Sequence, residues 1–181
     1  EGEELEEYKQ YYGRVIIKYH KTQRSQGMYY DKLGKEMEIQ QILPTMFDGD
    51  DFPGYDKVRL TFQELTTILN RGKRDWIAAL ENQKAVYLIS DKSNGRLYVG
   101  SATGDKGMLL QRWKDYANNG HGGNKELLKI IKEKGIEYVK KNFQYSILEN
   151  YNAKIDDTVI RERESWWKET LLTRNFGYND N

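Results

Sequence analysis

The sequence predicts an α+β fold: a three-stranded antiparallel sheet flanked by helices in the order ββααβα, preceded by an N-terminal mixed α/β extension. Three observations predict it. Strand-like runs rich in β-branched and aromatic residues stand at 85–90 (AVYLIS), 96–100 (RLYVG) and 143–149 (FQYSILE). Asn94-Gly95, between the first two, is a hairpin dipeptide. Amphipathic runs at 108–118, 124–134 and 158–172 repeat their apolar residues at helical spacing.

Taken in order, the chain begins with five Glu in its first seven residues, read as a solvated tail or a first helical turn. Glu1 in place of an initiator Met is expected of a trimmed or processed piece. Arg14–Tyr19 (RVIIKY) reads as a strand, and Met37–Leu43 as a weaker apolar stretch stopped by Pro44. Asp48–Gly54 (DGDDFPG) reads as a turn rather than a metal loop. Thr61-Phe-Gln-Glu64 matches a capping box, with Leu65, Ile68 and Leu69 as the apolar stripe of the helix it opens. Arg74–Gln83 is a second short helix with Trp76, Ile77 and Leu80 inward. From residue 84 the strands and helices above follow, with Gly135 as a helix stop.

Composition bounds the function. The 181 residues carry 29 Lys+Arg against 28 Asp+Glu, two His and no Cys. A chain of this length buries roughly 70% of its unfolded surface, so no disulfide staple is required. The absence of Cys excludes thiol nucleophiles, Fe–S clusters and Cys-based zinc sites, and His20 with His121 cannot form a His-rich centre. No apolar run approaches the ~18 residues of a membrane span, and nothing reads as a secretory signal, which points to a cytoplasmic protein without a membrane partner. A net charge of +1 excludes a purely electrostatic DNA binder. The basic charge is local instead: Arg96–Lys141 holds ten Lys/Arg and five Asp/Glu. Lys114, Lys125, Lys129 and Lys132 in that stretch are candidate contacts to a phosphate backbone, set against a simple solvated surface.

Individual residues suggest more. Tyr87 and Tyr98 stand eleven apart on consecutive strands; joined by an even-length loop, the strands place both rings on one face, either as an ordinary cross-strand pair or as paired phenols of a site. Gly100, two residues on, leaves room for a ligand to approach the backbone. Arg112 and Tyr116 are helical neighbours, fit to fork a phosphate beside a phenol. His121 lies in the glycine-rich loop Asn118–Asn124 (NNGHGGN). Glu164, beside Trp166 and Trp167, is either a single carboxylate ligand for Mg²⁺ or half of a surface pair with Lys168 four residues on.

The order of these features resembles the GIY-YIG nuclease superfamily. AVY, then YVG, then an Arg in the next helix, a Glu in the last helix and Asn179 in FGYN reproduce its blocks over about residues 84–180. The likeness is greatest to the catalytic module of phage homing endonucleases, through GRLYVGSA, FQYSILE and IRERESWWKETL. That resemblance implies Tyr87 and Tyr98 as the motif tyrosines, Gly100 as the motif glycine, Arg112 as the phosphate ligand, Glu164 as the metal ligand and Asn179 as a supporting residue. His121 falls where the homing enzymes carry a His. Ala85, Val86 and Val99 are small apolar departures, and Tyr116 stands where the homing enzymes have His and the excision-repair branch has Tyr. The loop Thr103–Met108 is longer than theirs. Residues 1–83 have no counterpart and form an extension of unknown role, with DNA targeting or an accessory part as its readings; residues 84–181 are the nuclease-like domain.

The function so implied is metal-dependent hydrolysis of DNA phosphodiester bonds by an activated water, with Mg²⁺ or Mn²⁺, DNA as partner and no small-molecule cofactor. Tyr87 is expected to take the water's proton while Tyr98 and Tyr116 orient water and phosphate, and His121 protonates, positions or contacts DNA. A nucleic-acid-binding module with weak or lost catalysis is the alternative, and an interaction domain working through residues 1–83 is a third class.

Overall fold

A computed structural model describes residues 5–18, 37–44, 50–106 and 108–180. The first four residues of the acidic run, Tyr19 at the end of the first expected strand, and Asp48 and Gly49 at the start of the expected turn lie outside the described residues. The chain divides into two compact units, Glu1–Phe47 and Asp48–Asn181.

In the first unit a 3-10 turn, Glu6–Tyr11, leads into the antiparallel pair β1 (Val15–Lys18) and β2 (Glu38–Ile42). Arg14 fastens its base, donating from Nε to Leu43 O at 2.7 Å and from Nη1 to Gln10 O at 2.9 Å. No residue of the two strands is buried, and Ile16, Ile17, Ile39 and Ile42 are exposed.

The second unit runs β3 (Arg59–Thr61), α1 (Phe62–Arg71), α2 (Arg74–Glu81), β4 (Gln83–Asp91), β5 (Leu97–Ala102), α3 (Met108–Asn119), α4 (Lys125–Lys134), α5 (Ile136–Asn142), β6 (Phe143–Asn152), α6 (Asp157–Thr170) and α7 (Thr173–Phe176). The capping box forms at Thr61: its hydroxyl accepts from Glu64 N, and Glu64 Oε2 accepts from Thr61 N at 2.7 Å. The mixed α+β class stands, but the sheet has four strands rather than the expected three, in the antiparallel order β3-β6-β4-β5. The extra strand β3 is three residues long and only Leu60 in it is buried, so it carries no alternation for sequence reading to detect. Because β3, α1 and α2 belong to the second unit, residues 48–83 fold together with the motif-bearing region.

Pleating sorts the central strands onto two faces. Ala85, Tyr87, Ile89, Phe143, Tyr145 and Ile147 face α1–α5 and pack with Leu65, Trp76, Leu80, Leu109, Trp113, Leu127 and Val139. Val86 and Val99 face the other way, onto Ile160 of α6. Each large side chain so buried contributes roughly 1.5–3 kcal/mol, so the many-membered helical face carries most of the hydrophobic stabilisation and the α6 face little. A register shift between Val86 and Tyr87 interrupts the β4–β6 ladder beside the first motif tyrosine. Among the described residues no helix is long and apolar enough to cross a membrane.

Candidate active site

The β4–β5 register sets Tyr87 opposite Gly100 and Ile89 opposite Tyr98, so both tyrosines and the glycine share the helical face. The Tyr87 ring lies across β5 over Gly100. A Cβ added at Gly100 would sit 2.5 Å from both Cζ and OH of Tyr87. The close approach that the sequence suggested for a ligand is therefore made by the Tyr87 ring, and Gly100 itself is buried.

Helix α3 brings Tyr116 onto the same spot. The Tyr87 and Tyr116 hydroxyls are 3.0 Å apart with ring centroids at 5.9 Å, and Tyr98 is 6.4 Å from Tyr87. Tyr145 backs Tyr116 at 6.0 Å. Arg112, one helical turn before Tyr116, donates from Nη1 to Gly122 O at 3.3 Å. Gly122 is needed there: its φ is +52°, and a Cβ would lie 2.6 Å from the Tyr116 ring. Asn119 Oδ1 holds this loop by accepting from His121 N and Gly122 N at 2.9 and 2.7 Å. Asn124 closes it, with Oδ1 accepting from Leu127 N at 2.8 Å as the α4 cap.

Burial governs the acidity of this cluster. It pushes the Tyr87 phenol well above its usual value and Tyr98 adds to the rise, while the Arg112 charge and the Tyr116 hydrogen bond act the other way. Burial likewise raises Tyr98, with the neighbouring polar groups of Tyr116 and Asn124 acting the other way. Tyr116 is raised well above the usual value by burial first and by its two phenol neighbours next. Arg112 is held further toward its charged form, chiefly by Tyr87.

Glu164 reaches the same edge strand from the opposite face. Ile160 anchors α6 against Val86 and Val99, and one turn later Ser101 Oγ donates to Glu164 Oε2. Lys168 Nζ lies 2.9 Å from Glu164 Oε1. The i,i+4 pair expected on the surface is thus largely buried, with side chains 7% and 17% exposed. Because β5 is the edge of the sheet, Glu164 is near enough for its charge to raise both Tyr98 and Tyr87.

The remaining candidates are not in this cluster. Asn179 is buried and clasps the outer edge of β5: Val99 N donates to its Oδ1 at 2.9 Å and its Nδ2 donates to Val99 O at 2.8 Å. Beside it Tyr178 N donates to Leu97 O, and the Tyr178 hydroxyl donates to the buried Asp91 at 2.7 Å. His121 turns to its own loop, its Nδ1 accepting from Gly123 N at 3.0 Å. Lys114 on α3 and Lys125, Lys129 and Lys132 on α4 are exposed, and Lys129 pairs with Glu126. Sequence reading missed Ser101, Gly122 and Asn124. Strand parity carries the one available signal, since it places Ser101 on the α6 face that Glu164 shares.

Among the described residues no three His, Asp or Glu side chains cluster to hold a metal. Glu164 alone still suits a hard cation: after Ser101 and Lys168 each carboxylate oxygen retains a lone pair, and Mg²⁺ commonly takes one or two carboxylates with substrate phosphate and water.

Tyrosines on the two strands of a hairpin, an arginine in the following helix and a glutamate on the last long helix stand in the order of the family's blocks. The chain belongs to the GIY-YIG nuclease superfamily, matching the GIY-YIG catalytic domain over residues 83–179. It is similar to the catalytic domain of the intron endonuclease I-TevI in a mutant form, with 26% identity and a TM-score of 0.42 over 55% of this chain and 94% of that one. A second structure, of the catalytic domain of homing endonuclease I-TevI, gives 27% identity and a TM-score of 0.41 over 53% and 96%. No curated protein matches the chain.

Proposed function

We propose that this protein is a metal-dependent endonuclease that hydrolyses DNA phosphodiester bonds. The observation that supports the reading is the Tyr87–Tyr116 hydroxyl pair at 3.0 Å, with Arg112 one helical turn before Tyr116 and Glu164 bound to Ser101 on the neighbouring strand. Arg112 spends one N–H on Gly122 and keeps the rest of its five donors for a nonbridging phosphate oxygen, where it neutralises developing charge. Tyr87 accepts the proton of the attacking water; Tyr116 and the Arg112 charge favour its phenolate against burial. Tyr98, whose ring lies 6.4 Å from that of Tyr87, orients the water and phosphate. Glu164 would hold Mg²⁺ or Mn²⁺, which when bound supplies Lewis-acid stabilisation at the scissile phosphate and leaving oxygen. Asn179 keeps β5, and with it Tyr98 and Ser101, in place.

The raised phenols favour a second reading, a nucleic-acid-binding module with weak or lost catalysis. Nicking of supercoiled plasmid with Mg²⁺ or Mn²⁺ separates the two. The expected result is nicked product from the wild type, none from Glu164→Ala, and similar or slightly tighter DNA retention by that variant in a gel shift. A wild type that binds plasmid but never nicks it selects the second reading; nicking by Glu164→Ala at the wild-type rate removes the metal role.

A further inference from the structure

We propose that Lys168 is a positioning residue: a resident cation that holds the Glu164 carboxylate at the sheet edge in the metal-free protein and competes with a divalent ion for it. The proposal rests on the reading of Glu164 as the metal ligand. A Glu and a Lys four residues apart on an exposed helix form a weak, screened pair. This pair differs in burial and in what surrounds it. Lys168 is 7% exposed, a degree of burial that Lys seldom tolerates without a charged or polar partner. The other basic groups near this helix are engaged elsewhere: Arg163 grips Glu149 and stacks on Trp166, and Arg161 faces Asp157 at 3.7 Å. Among the described residues Lys168 is the cation paired with Glu164.

Geometry then sets the competition. Ser101 takes Glu164 Oε2 and Lys168 takes Oε1 at 2.9 Å, so a divalent ion must share an oxygen with one of these donors or displace the ammonium. Two cations on one partly buried carboxylate repel each other more strongly than they would in water. A substrate phosphate brings negative charge that offsets both. Lys168 therefore makes ion loading weak in the free protein and strong with the phosphate present, while keeping the carboxylate aimed and its charge compensated in the interval. The same lysine gives the metal-free site a defined shape, since Glu164 is fixed by two donors before any ion arrives.

The test is Mn²⁺ binding in the absence of DNA, read by electron paramagnetic resonance of free Mn²⁺, for the wild type, Lys168→Met, Lys168→Arg and Glu164→Gln. Thermal melting of each confirms folding, with Lys168→Gln as the replacement if the methionine variant does not fold. The expected result is one site bound about tenfold or more tightly in Lys168→Met than in wild type, wild-type behaviour in Lys168→Arg, and no such site in Glu164→Gln. Equal or weaker Mn²⁺ binding by Lys168→Met, with the site lost in Glu164→Gln, overturns the proposal and leaves Glu164 as the ligand. A wild-type site that survives in Glu164→Gln overturns the metal reading of Glu164 and the proposal with it.

Discussion

The two faces of the central sheet both supply side chains to β5, yet they treat polarity in opposite ways. On the helical face Tyr87, Tyr98 and Tyr116 are phenols whose ionisation burial opposes, the Tyr87 and Tyr116 hydroxyls 3.0 Å apart, backed by a large apolar cluster. On the α6 face the charged Glu164 is compensated by Lys168 and accepts from Ser101, beside an apolar cluster of three buried residues, Val86, Val99 and Ile160. A thick core favours neutral groups because desolvation penalises charge; a thin layer at a sheet edge tolerates an ion pair. The helical face thus carries one charge, Arg112, beside its phenols, and the α6 face a compensated pair, Glu164 and Lys168.

That contrast can be broken by experiment, and the largest effect is expected at the tyrosine face. Tyr87→Phe keeps the ring over Gly100 but removes the accepting oxygen, so cleavage should fall by about 10²–10⁴-fold. The raised phenol also sets a sign in pH. A group titrating above pH 10 gains phenolate tenfold per unit as pH rises, so the wild-type rate should climb with a slope near one between about pH 7 and 9, and Tyr87→Phe should lose that slope. A pH-rate series on plasmid nicking checks both, and a flat wild-type profile moves the base to Tyr116 or His121. Next in size, Arg112→Ala should cost about 10²–10³-fold in rate with a modest loss in DNA affinity, measured by single-turnover cleavage and gel shift. Loss of affinity without loss of rate would confine Arg112 to binding.

Gly100→Ala sharpens the comparison from the side of stability. Its Cβ would stand 2.5 Å from the Tyr87 ring, so overpacking of about 1–3 kcal/mol and a displaced phenol are expected, seen as a lower denaturation midpoint together with reduced nicking. The smallest effect is expected at Lys132→Ala, which lies exposed on α4 outside both faces. It should leave turnover near wild type and reduce the salt slope of DNA binding by about one, read from affinity at several salt concentrations. A large loss of rate there would show that the site extends beyond the sheet edge.

Much of this architecture is legible in the sequence because strand parity and helical spacing are rigid. Tyr87 and Tyr98, eleven positions apart across an even-length hairpin loop, share a face, and Arg112 and Tyr116, four positions apart on one helix, are neighbours. The misses come from interactions that have no period. Strand β3 is too short to alternate, and α5 begins at Ile136 immediately after Gly135, where a stop signal hides a new start. Gly122 O under Arg112 and Ser101 against Glu164 pair residues ten and 63 positions apart, and composition does not foretell such pairs. Lys168 was visible as a helical neighbour of Glu164; its burial was not, because that depends on how α6 seats on Val86 and Val99.

The clasp of Asn179 on Val99 bears on the behaviour of many molecules together. A strand with unpaired N–H and C=O groups is a template on which another copy can add a strand. Here the primary amide of Asn179 satisfies both backbone groups of Val99, and Tyr178 N satisfies Leu97 O, so one side chain and one backbone amide do the work of a neighbouring strand. The outer rim of β5 is closed to self-association over that stretch without a fifth strand to cover the side from which a phosphate would approach.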